Sequence, residues 1–229
     1  MQSELMKTDQ AHDTLITIRT LMERSALYRR ALAPIMTFAG TIGIIAAIAG
    51  IWLRVEAETT FIGYWLGIAL VGLAGALVLV RRQALKSAEP FWSPPTRRVA
   101  IALLPCLTAG LFLSLWFLTI SLAPIAGDPP AGMTYDRSTL ICLVALWAIL
   151  YGCALHAAGF YTTDGIRLLG WLFLTGGVAI LFGMLIGQRQ DFPVGSWRTL
   201  HWLMGALFGL LQLAYGIYLF FTEPNENAA

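Results

Sequence analysis

Six long stretches of the chain are almost uniformly apolar, and the polar residues gather between them. The stretches are residues 32–53, 61–80, 99–122, 138–159, 168–187 and 199–221, and none of them contains Asp, Glu, Lys or Arg. A helix needs roughly 20 mostly apolar residues to cross a bilayer core about 30 Å thick. A backbone in hydrocarbon must satisfy its own hydrogen bonds, and these stretches lack the alternating pattern of a membrane β-strand. The pattern therefore predicts six transmembrane helices.

The composition agrees with lipid immersion of most of the chain. Of 229 residues, 58% are hydrophobic and only 12% are charged, whereas a soluble domain is about 25% charged. So few charges exclude a soluble globular enzyme, a disordered chain and a nucleic-acid binder with a basic face. We predict an all-α, polytopic membrane helical bundle over residues 31–222, in contact with the lipid bilayer and not with nucleic acid.

The basic residues predict the orientation of the bundle, because cytoplasmic loops of membrane proteins are enriched in Lys and Arg. With the N-terminus in the cytoplasm, the inner side carries eleven basic residues: Lys7, Arg19, Arg24, Arg29, Arg30, Arg81, Arg82, Lys86, Arg97, Arg98 and Arg167. The outer side carries four: Arg54, Arg137, Arg189 and Arg198. Both termini, including the tail 223–229, are therefore predicted to be cytoplasmic. The two longer connections, 81–98 and 123–137, contain prolines and are predicted to be extended.

Aromatic residues at the ends of the stretches support this orientation, because Trp and Tyr gather at membrane interfaces. The outer interface is predicted to hold Trp52, Trp65, Trp197 and Trp202. The inner interface is predicted to hold Tyr28, Trp92, Tyr161, Trp171 and Tyr218.

Residues 1–30 precede the first apolar stretch and are predicted to contain an amphipathic helix. Leu15, Ile18 and Met22 recur at helical spacing, and charged residues occupy the other faces. One interpretation is a helix that lies on the inner membrane surface. The other is a docking element for a cytoplasmic protein. Its candidate contact residues are Ile18, Arg19, Met22, Glu23 and Arg24.

Small residues recur four positions apart within several stretches, which is typical of closely packed transmembrane helices. The predicted helix-packing residues are Gly43, Gly50, Gly63, Gly67, Gly183, Gly187, Gly205 and Gly209. Packing within one bundle is favoured over dimerisation, and the oligomeric state stays open. An offset of 137 residues also aligns Trp65 with Trp202 and Gly72 with Gly209. It suggests that stretches 1–2 and 5–6 are parallel repeats with pseudo-twofold symmetry, as in some transporters.

The apolar stretches offer little chemistry. Ionised side chains at mid-bilayer cost about 2.5–3.5 kcal/mol on insertion scales and mark functional sites, and none is present. Gln212 is the most polar side chain at mid-depth, accompanied by Thr37, Thr41, Ser114 and Thr175. His156 and His201 are predicted near opposite faces, too far apart in depth to hold one haem. No catalytic residue, metal site or cofactor is predicted.

The segment Ile18-Arg19-Thr20-Leu21-Met22-Glu23-Arg24-Ser25, followed by the Gly-rich start of the first stretch, resembles a group of uncharacterised bacterial membrane proteins. The last stretch, from Gly205 to Gly216, is similar to the last span of that group. The resemblance implies a bacterial inner-membrane protein with about six helices and no assigned activity. It also implies an association with winged-helix regulators, for which the N-terminal helix would be the docking element.

Three function classes remain from the sequence. The first is a non-enzymatic accessory or regulatory membrane protein that reaches the cytoplasm through residues 1–30. The second is a small-molecule transporter or channel, with repeated hairpins flanking a path lined by Gln212 and the threonines. The third is a membrane enzyme, for which His156, Asp164 and Arg167 near the inner face are the candidate groups.

Overall fold

The computed structural model describes residues 32–86, 94–126, 137–187 and 196–222. The predicted all-α fold is confirmed, because these residues form six long helices and contain no β-strand. The helices are α1 (Leu32–Trp52), α2 (Glu58–Lys86), α3 (Pro94–Ala126), α4 (Arg137–Gly159), α5 (Asp164–Gly187) and α6 (Trp197–Thr222). The predicted N-terminal amphipathic helix and the tail 223–229 lie outside the described residues.

Each of the six helices is long enough and apolar enough to cross a membrane. Their outer surfaces carry many exposed large apolar side chains, including Phe112 (70% exposed) and Trp116 (64% exposed) on α3. Soluble monomers rarely expose continuous apolar patches of this kind. The described chain is therefore a multi-pass membrane protein whose outer surface is suited to lipid.

Several helices extend beyond the apolar stretches that predicted them. Arg81, Arg82 and Lys86 continue α2, and α3 already begins at Pro94. The prediction of an extended connection over 81–98 is therefore wrong at both of its ends. Apolar residues are needed only where a helix crosses the hydrocarbon core. The backbone hydrogen bonds of the helix can continue beyond that core. Long basic side chains also keep their charge in the polar interface while their stems follow the helix.

The other long connection is shortened in the same way, because α3 continues to Ala126. The helix α5 begins at Asp164, ahead of its apolar stretch. Only residues 160–163 consequently separate α4 from α5. Helix ends thus follow backbone hydrogen bonding and local capping more closely than hydropathy.

The helices α4 and α5 form a tightly packed antiparallel hairpin. A Cβ atom on Gly152 would lie 2.7 Å from the Gly170 carbonyl oxygen, and one on Gly177 would lie 2.7 Å from the Ala145 carbonyl oxygen. Glycine permits this backbone contact, which supplies van der Waals packing where lipid provides no hydrophobic drive for association. The core at this hairpin includes the fully buried Phe173.

The helix α3 packs against the outside of α4 and is joined to it by one buried hydrogen bond. The Trp147 indole Nε1 donates to the Ser114 hydroxyl at 2.8 Å, and that hydroxyl donates to the Gly110 carbonyl at 2.7 Å. Ser114 is fully buried. A hydrogen bond between transmembrane helices fixes their rotation as well as their distance, so this pair sets which face of α3 meets α4.

The connection from α1 to α2 begins with a hydrogen-bonded helix cap. The Val55 N–H donates to the Gly50 carbonyl at 3.0 Å, and the Arg54 N–H donates to the Ile51 carbonyl at 3.3 Å. This is the pattern of a Schellman motif, which needs a left-handed residue just beyond the helix. Arg54 fills that position with a φ of 51°. The position usually favours glycine, so the cap holds Arg54 in a strained conformation.

Candidate functional site

The helices α1 and α6 contact each other along most of their length. The closest approaches, in order along α1, are Thr37–Gly216, Gly40–Leu213, Gly43–Gly209, Ala47–Gly205 and Gly50–His201. Residue numbers rise along α1 as they fall along α6, which is the register of an antiparallel pair. Small residues therefore close the α1–α6 interface from one end to the other.

Three of the predicted packing glycines have no close neighbour in the described part of the chain. A Cβ atom on Gly63, Gly67 or Gly183 would meet no other atom within 4 Å among the described residues. A four-residue spacing places small residues on one face without specifying what that face contacts. Gly187 is the last residue of α5, and its surroundings are not described.

The residues aligned by the 137-residue offset occupy different environments. Trp65 is buried (4% exposed), whereas its counterpart Trp202 is 54% exposed. Gly40 packs against Leu213 of α6, while its counterpart Gly177 packs against α4. The two hairpins do not use equivalent positions for equivalent contacts, so the packing does not support a functional pseudo-twofold axis.

Gln212 lies inside the bundle and is hydrogen-bonded to another helix. It is 4% exposed, and its Nε2 donates to the Tyr151 hydroxyl of α4 at 2.9 Å. The residues just before it, Gly205–Leu211, form a π-helical segment of α6. Such segments are rare and often occur at functional sites. Here the segment coincides with the glycine contacts to α1 and directs Gln212 toward α4 rather than toward an open path.

The remaining mid-span hydroxyl groups are satisfied by their own helices. Thr37 donates to the Ala33 carbonyl at 2.8 Å, and Thr41 donates to the Thr37 carbonyl at 2.7 Å. Thr175 likewise donates to the Trp171 carbonyl at 2.8 Å. These groups do not line a shared polar path with Gln212.

His201 is buried at the other end of the α1–α6 interface from Thr37. Its Nε2 lies 3.1 Å from the Val55 carbonyl oxygen, which can only accept, so Nε2 carries a proton. The ring packs beside the rings of Phe61, Tyr64 and Trp65, with centroids 5.2–6.1 Å away. His201 thus joins α6 to the cap that ends α1. The sequence placed it at the interface but did not indicate this contact.

Tyr64 adds a second connection in the same place. Its hydroxyl donates to the Ala46 carbonyl at 2.6 Å, which joins α2 to α1. Together, the Tyr64 and His201 bonds hold three helices around one aromatic cluster. Aromatic rings at these distances and tilted angles add about 0.5–1.5 kcal/mol per pair beyond their buried area.

His156 lies in a separate cluster between α3, α4 and α5. It lines a cavity of about 520 Å³. The ring of His156 stands nearly perpendicular to that of Phe160, with centroids 5.3 Å apart, and meets the ring of Trp171 at 5.5 Å. Its Nδ1 is buried and makes no hydrogen bond with any described residue.

Asp164 and Arg167 are near this cavity but are engaged with each other. Arg167 Nη2 lies 2.5 Å from the Asp164 carboxylate, one turn away on α5. The Arg167 guanidinium also lies over the Phe160 ring, 5.5 Å from its centroid. Of the three groups that the sequence offered for enzymatic chemistry, Asp164 and Arg167 therefore form an ion pair, and His156 contacts aromatic rings instead.

Other ionisable and thiol groups form no recognisable centre in the described part of the chain. It contains no group of three or more His, Cys, Asp or Glu side chains placed to hold a metal ion. Cys106, Cys142 and Cys153 are free thiols. The candidate docking residues Ile18, Arg19, Met22, Glu23 and Arg24 lie outside the described residues.

Comparisons with protein-family models, with curated proteins and with solved structures give no match. The functional interpretation therefore depends on the geometry of this chain. The sequence identified Gln212 and His156 and placed Trp171 at the inner interface, but it missed Tyr151 and the aromatic cluster around His201. The clustering of Phe61, Tyr64 and Trp65 within five residues was the available signal for that cluster.

Proposed function

We propose that this chain is a non-enzymatic accessory or regulatory protein of a bacterial inner membrane, which engages a cytoplasmic protein partner through residues 1–30. In this proposal, the helical bundle is a stable membrane anchor. The chemistry and the specificity belong to the partner.

The closed α1–α6 interface is the observation that supports this proposal. Backbone contact at Gly43–Gly209 leaves no space for a solute between these helices, and the contacts continue toward both ends. Gln212, the most polar mid-span side chain, is bonded to Tyr151. A bundle that uses its polar groups to hold helices together is suited to an anchoring role.

The alternative function, a transporter or channel between the hairpins, requires α1 and α6 to separate. Separation would break the glycine contacts along the interface and the bond between His201 and the Val55 carbonyl. The Gln212 amide would also have to leave Tyr151 and enter a path through the bundle. The accessory function needs none of these changes.

The orientation is part of the proposal. An even number of membrane-crossing helices would put the start of α1 and the end of α6 on one side, and the positive-inside rule supports the cytoplasm as that side. Protease added to intact cells should then leave residues 1–30 uncut. Protease added to inverted membrane vesicles should remove them.

Affinity capture from membranes tests the proposed partner contact. The full chain is compared with a deletion of residues 1–30 and with the double variant Ile18→Asp/Met22→Asp, which disrupts the predicted apolar face. We expect a cytoplasmic protein to be captured by the full chain and lost in both variants. A matched variant, Gln2→Asp/Gln10→Asp, adds the same charge outside that face and should retain the partner. An unchanged set of captured proteins after the deletion would contradict the proposal.

A further inference from the structure

The cavity between α3, α4 and α5 is open to the surface of the bundle and has the volume of a small-molecule site. Its volume of about 520 Å³ is within the range of roughly 300–1,000 Å³ that is typical of ligand pockets. Ala102 of α3 and Ala157 of α4 line it together with the Trp171 ring of α5. Small residues on two walls and a large ring on the third leave a space beside a flat aromatic surface.

The depth of the cavity makes it accessible from the membrane. His156 lies three residues before the end of α4, about 5 Å from that end at 1.5 Å per residue. Phe160, Tyr161 and Trp171 are all more than half exposed at the same end of the bundle. Aromatic side chains at such positions lie at the level of the lipid headgroups. A ligand dissolved in the bilayer could enter from there without crossing the bundle.

Four of the side chains that line the cavity can form hydrogen bonds: Cys153, His156, Tyr161 and Trp171. The His156 imidazole makes no hydrogen bond with any described residue, and because its Nδ1 is buried, Nε2 is the nitrogen available to a ligand. Ligand pockets commonly combine apolar and aromatic walls with a few polar groups that orient the ligand. A neutral imidazole can donate to a carbonyl oxygen or accept from a hydroxyl group.

One cation beside the cavity is already engaged by a neighbouring carboxylate. Arg167 contacts the cavity wall through Phe160, but its charge is paired with Asp164. An anionic lipid headgroup would have to compete with that carboxylate. A neutral planar ring would instead lie against Phe160 and Trp171, where offset or edge-on aromatic contacts are favourable.

We propose that this cavity binds a membrane-soluble quinone or quinol, with the ring against Trp171 and one ring oxygen hydrogen-bonded to His156. The isoprenoid tail extends between the helices toward the bilayer. The proposal concerns binding alone and is independent of the partner contact through residues 1–30.

Photolabelling of the full-length protein in phosphatidylcholine nanodiscs tests the proposal. The probe is an azido-benzoquinone with one isoprenoid unit, and labelled peptides are identified by mass spectrometry. We expect the probe to label the α4–α5 connection in a saturable way. An excess of the same quinone without the azide should prevent this labelling. Ala157→Trp should fill the cavity and abolish this competable labelling. His156→Phe keeps a ring but removes the hydrogen bond, so the probe should bind about fivefold more weakly.

Two controls make the result decisive. Ala74→Trp adds the same bulk on the exposed surface of α2, away from the cavity, and should label like the wild type. Ala102→Leu narrows the cavity from α3 and provides a second test if Ala157→Trp does not fold. Equal, non-saturable labelling of all variants would overturn the proposal. If an alkanol without a ring competed as well as the quinone does, the proposal would also be overturned. The cavity would then hold only an acyl chain.

Discussion

Gly43 of α1 and Gly209 of α6 meet with their backbones in contact. A Cβ atom added to Gly43 would lie 2.8 Å from the Gly209 Cα and 2.8 Å from the Phe208 carbonyl oxygen. No flexible side chain is there to move aside, so the two helices themselves would have to separate. This pair is the centre of the α1–α6 interface and defines its antiparallel register.

Gly43→Ala should therefore destabilise the bundle. Overpacking a close interface costs about 1–3 kcal/mol, which exceeds the gain of roughly 1 kcal/mol from replacing a helical glycine by alanine. The free energy of unfolding in mixed detergent micelles measures the change.

Gly67→Ala is the matched control for that prediction. A Cβ atom there meets no other atom within 4 Å among the described residues, so only the helix-propensity gain should remain. If both alanine variants changed the unfolding free energy equally, close backbone contact at Gly43 would be contradicted.

The contrast between Gly43 and Gly67 shows what the sequence could and could not predict. Apolar length alone identifies the six spans, because the bilayer thickness imposes it. Both glycines belong to small-residue pairs with the same spacing, yet only one reaches a neighbouring helix. Which face meets which depends on the tertiary arrangement. For the same reason, the sequence identified Gln212 as polar without indicating Tyr151 as its partner.

Tyr151→Phe should destabilise the bundle by removing the hydroxyl that accepts from Gln212. Interhelical hydrogen bonds in membranes average about 0.6 kcal/mol and reach about 1.7 kcal/mol. The double variant Tyr151→Phe/Gln212→Leu should lose less than the sum of the two single variants, because the two side chains share one interaction. Unfolding free energies of all four proteins give the coupling.

Thr175→Val provides the control for the Tyr151–Gln212 pair. Thr175 is bonded to the Trp171 carbonyl within its own helix, so its replacement should change stability little and should not couple to Gln212. Strict additivity between Tyr151→Phe and Gln212→Leu would show that the hydrogen bond does not contribute to stability.

His201→Phe should loosen the connection between α1 and α2. The variant keeps an aromatic ring beside Phe61 but removes the donor to the Val55 carbonyl. This hydrogen bond is only partly buried, so its loss should cost about 0.5–1.5 kcal/mol. Because Arg54 is exposed in this connection, trypsin should cut after it faster in the variant.

His156→Phe is the matched histidine variant for this experiment. His156 belongs to the other aromatic cluster, beside Phe160 and Trp171, and does not contact the α1–α2 connection. Its tryptic cleavage after Arg54 should match that of the wild type. Unchanged cleavage of His201→Phe would mean that the cap holds the connection without the imidazole.

Arg54→Gly should stabilise the protein by relieving backbone strain at this cap. Comparison with Arg54→Ala separates that effect from the loss of the positive charge. Arg54 has a φ of 51°, a conformation that costs a residue with a Cβ roughly 1–2 kcal/mol and that glycine adopts freely. Glycine also gains entropy in the unfolded chain, so the net gain in the free energy of unfolding should be about 1 kcal/mol or less.

Arg54→Ala removes the same charge but retains the Cβ, so it should give no such gain. The thermal midpoints of the three proteins in one detergent compare them directly. A stabilisation shared equally by both variants would attribute the effect to the charge and contradict the strained cap.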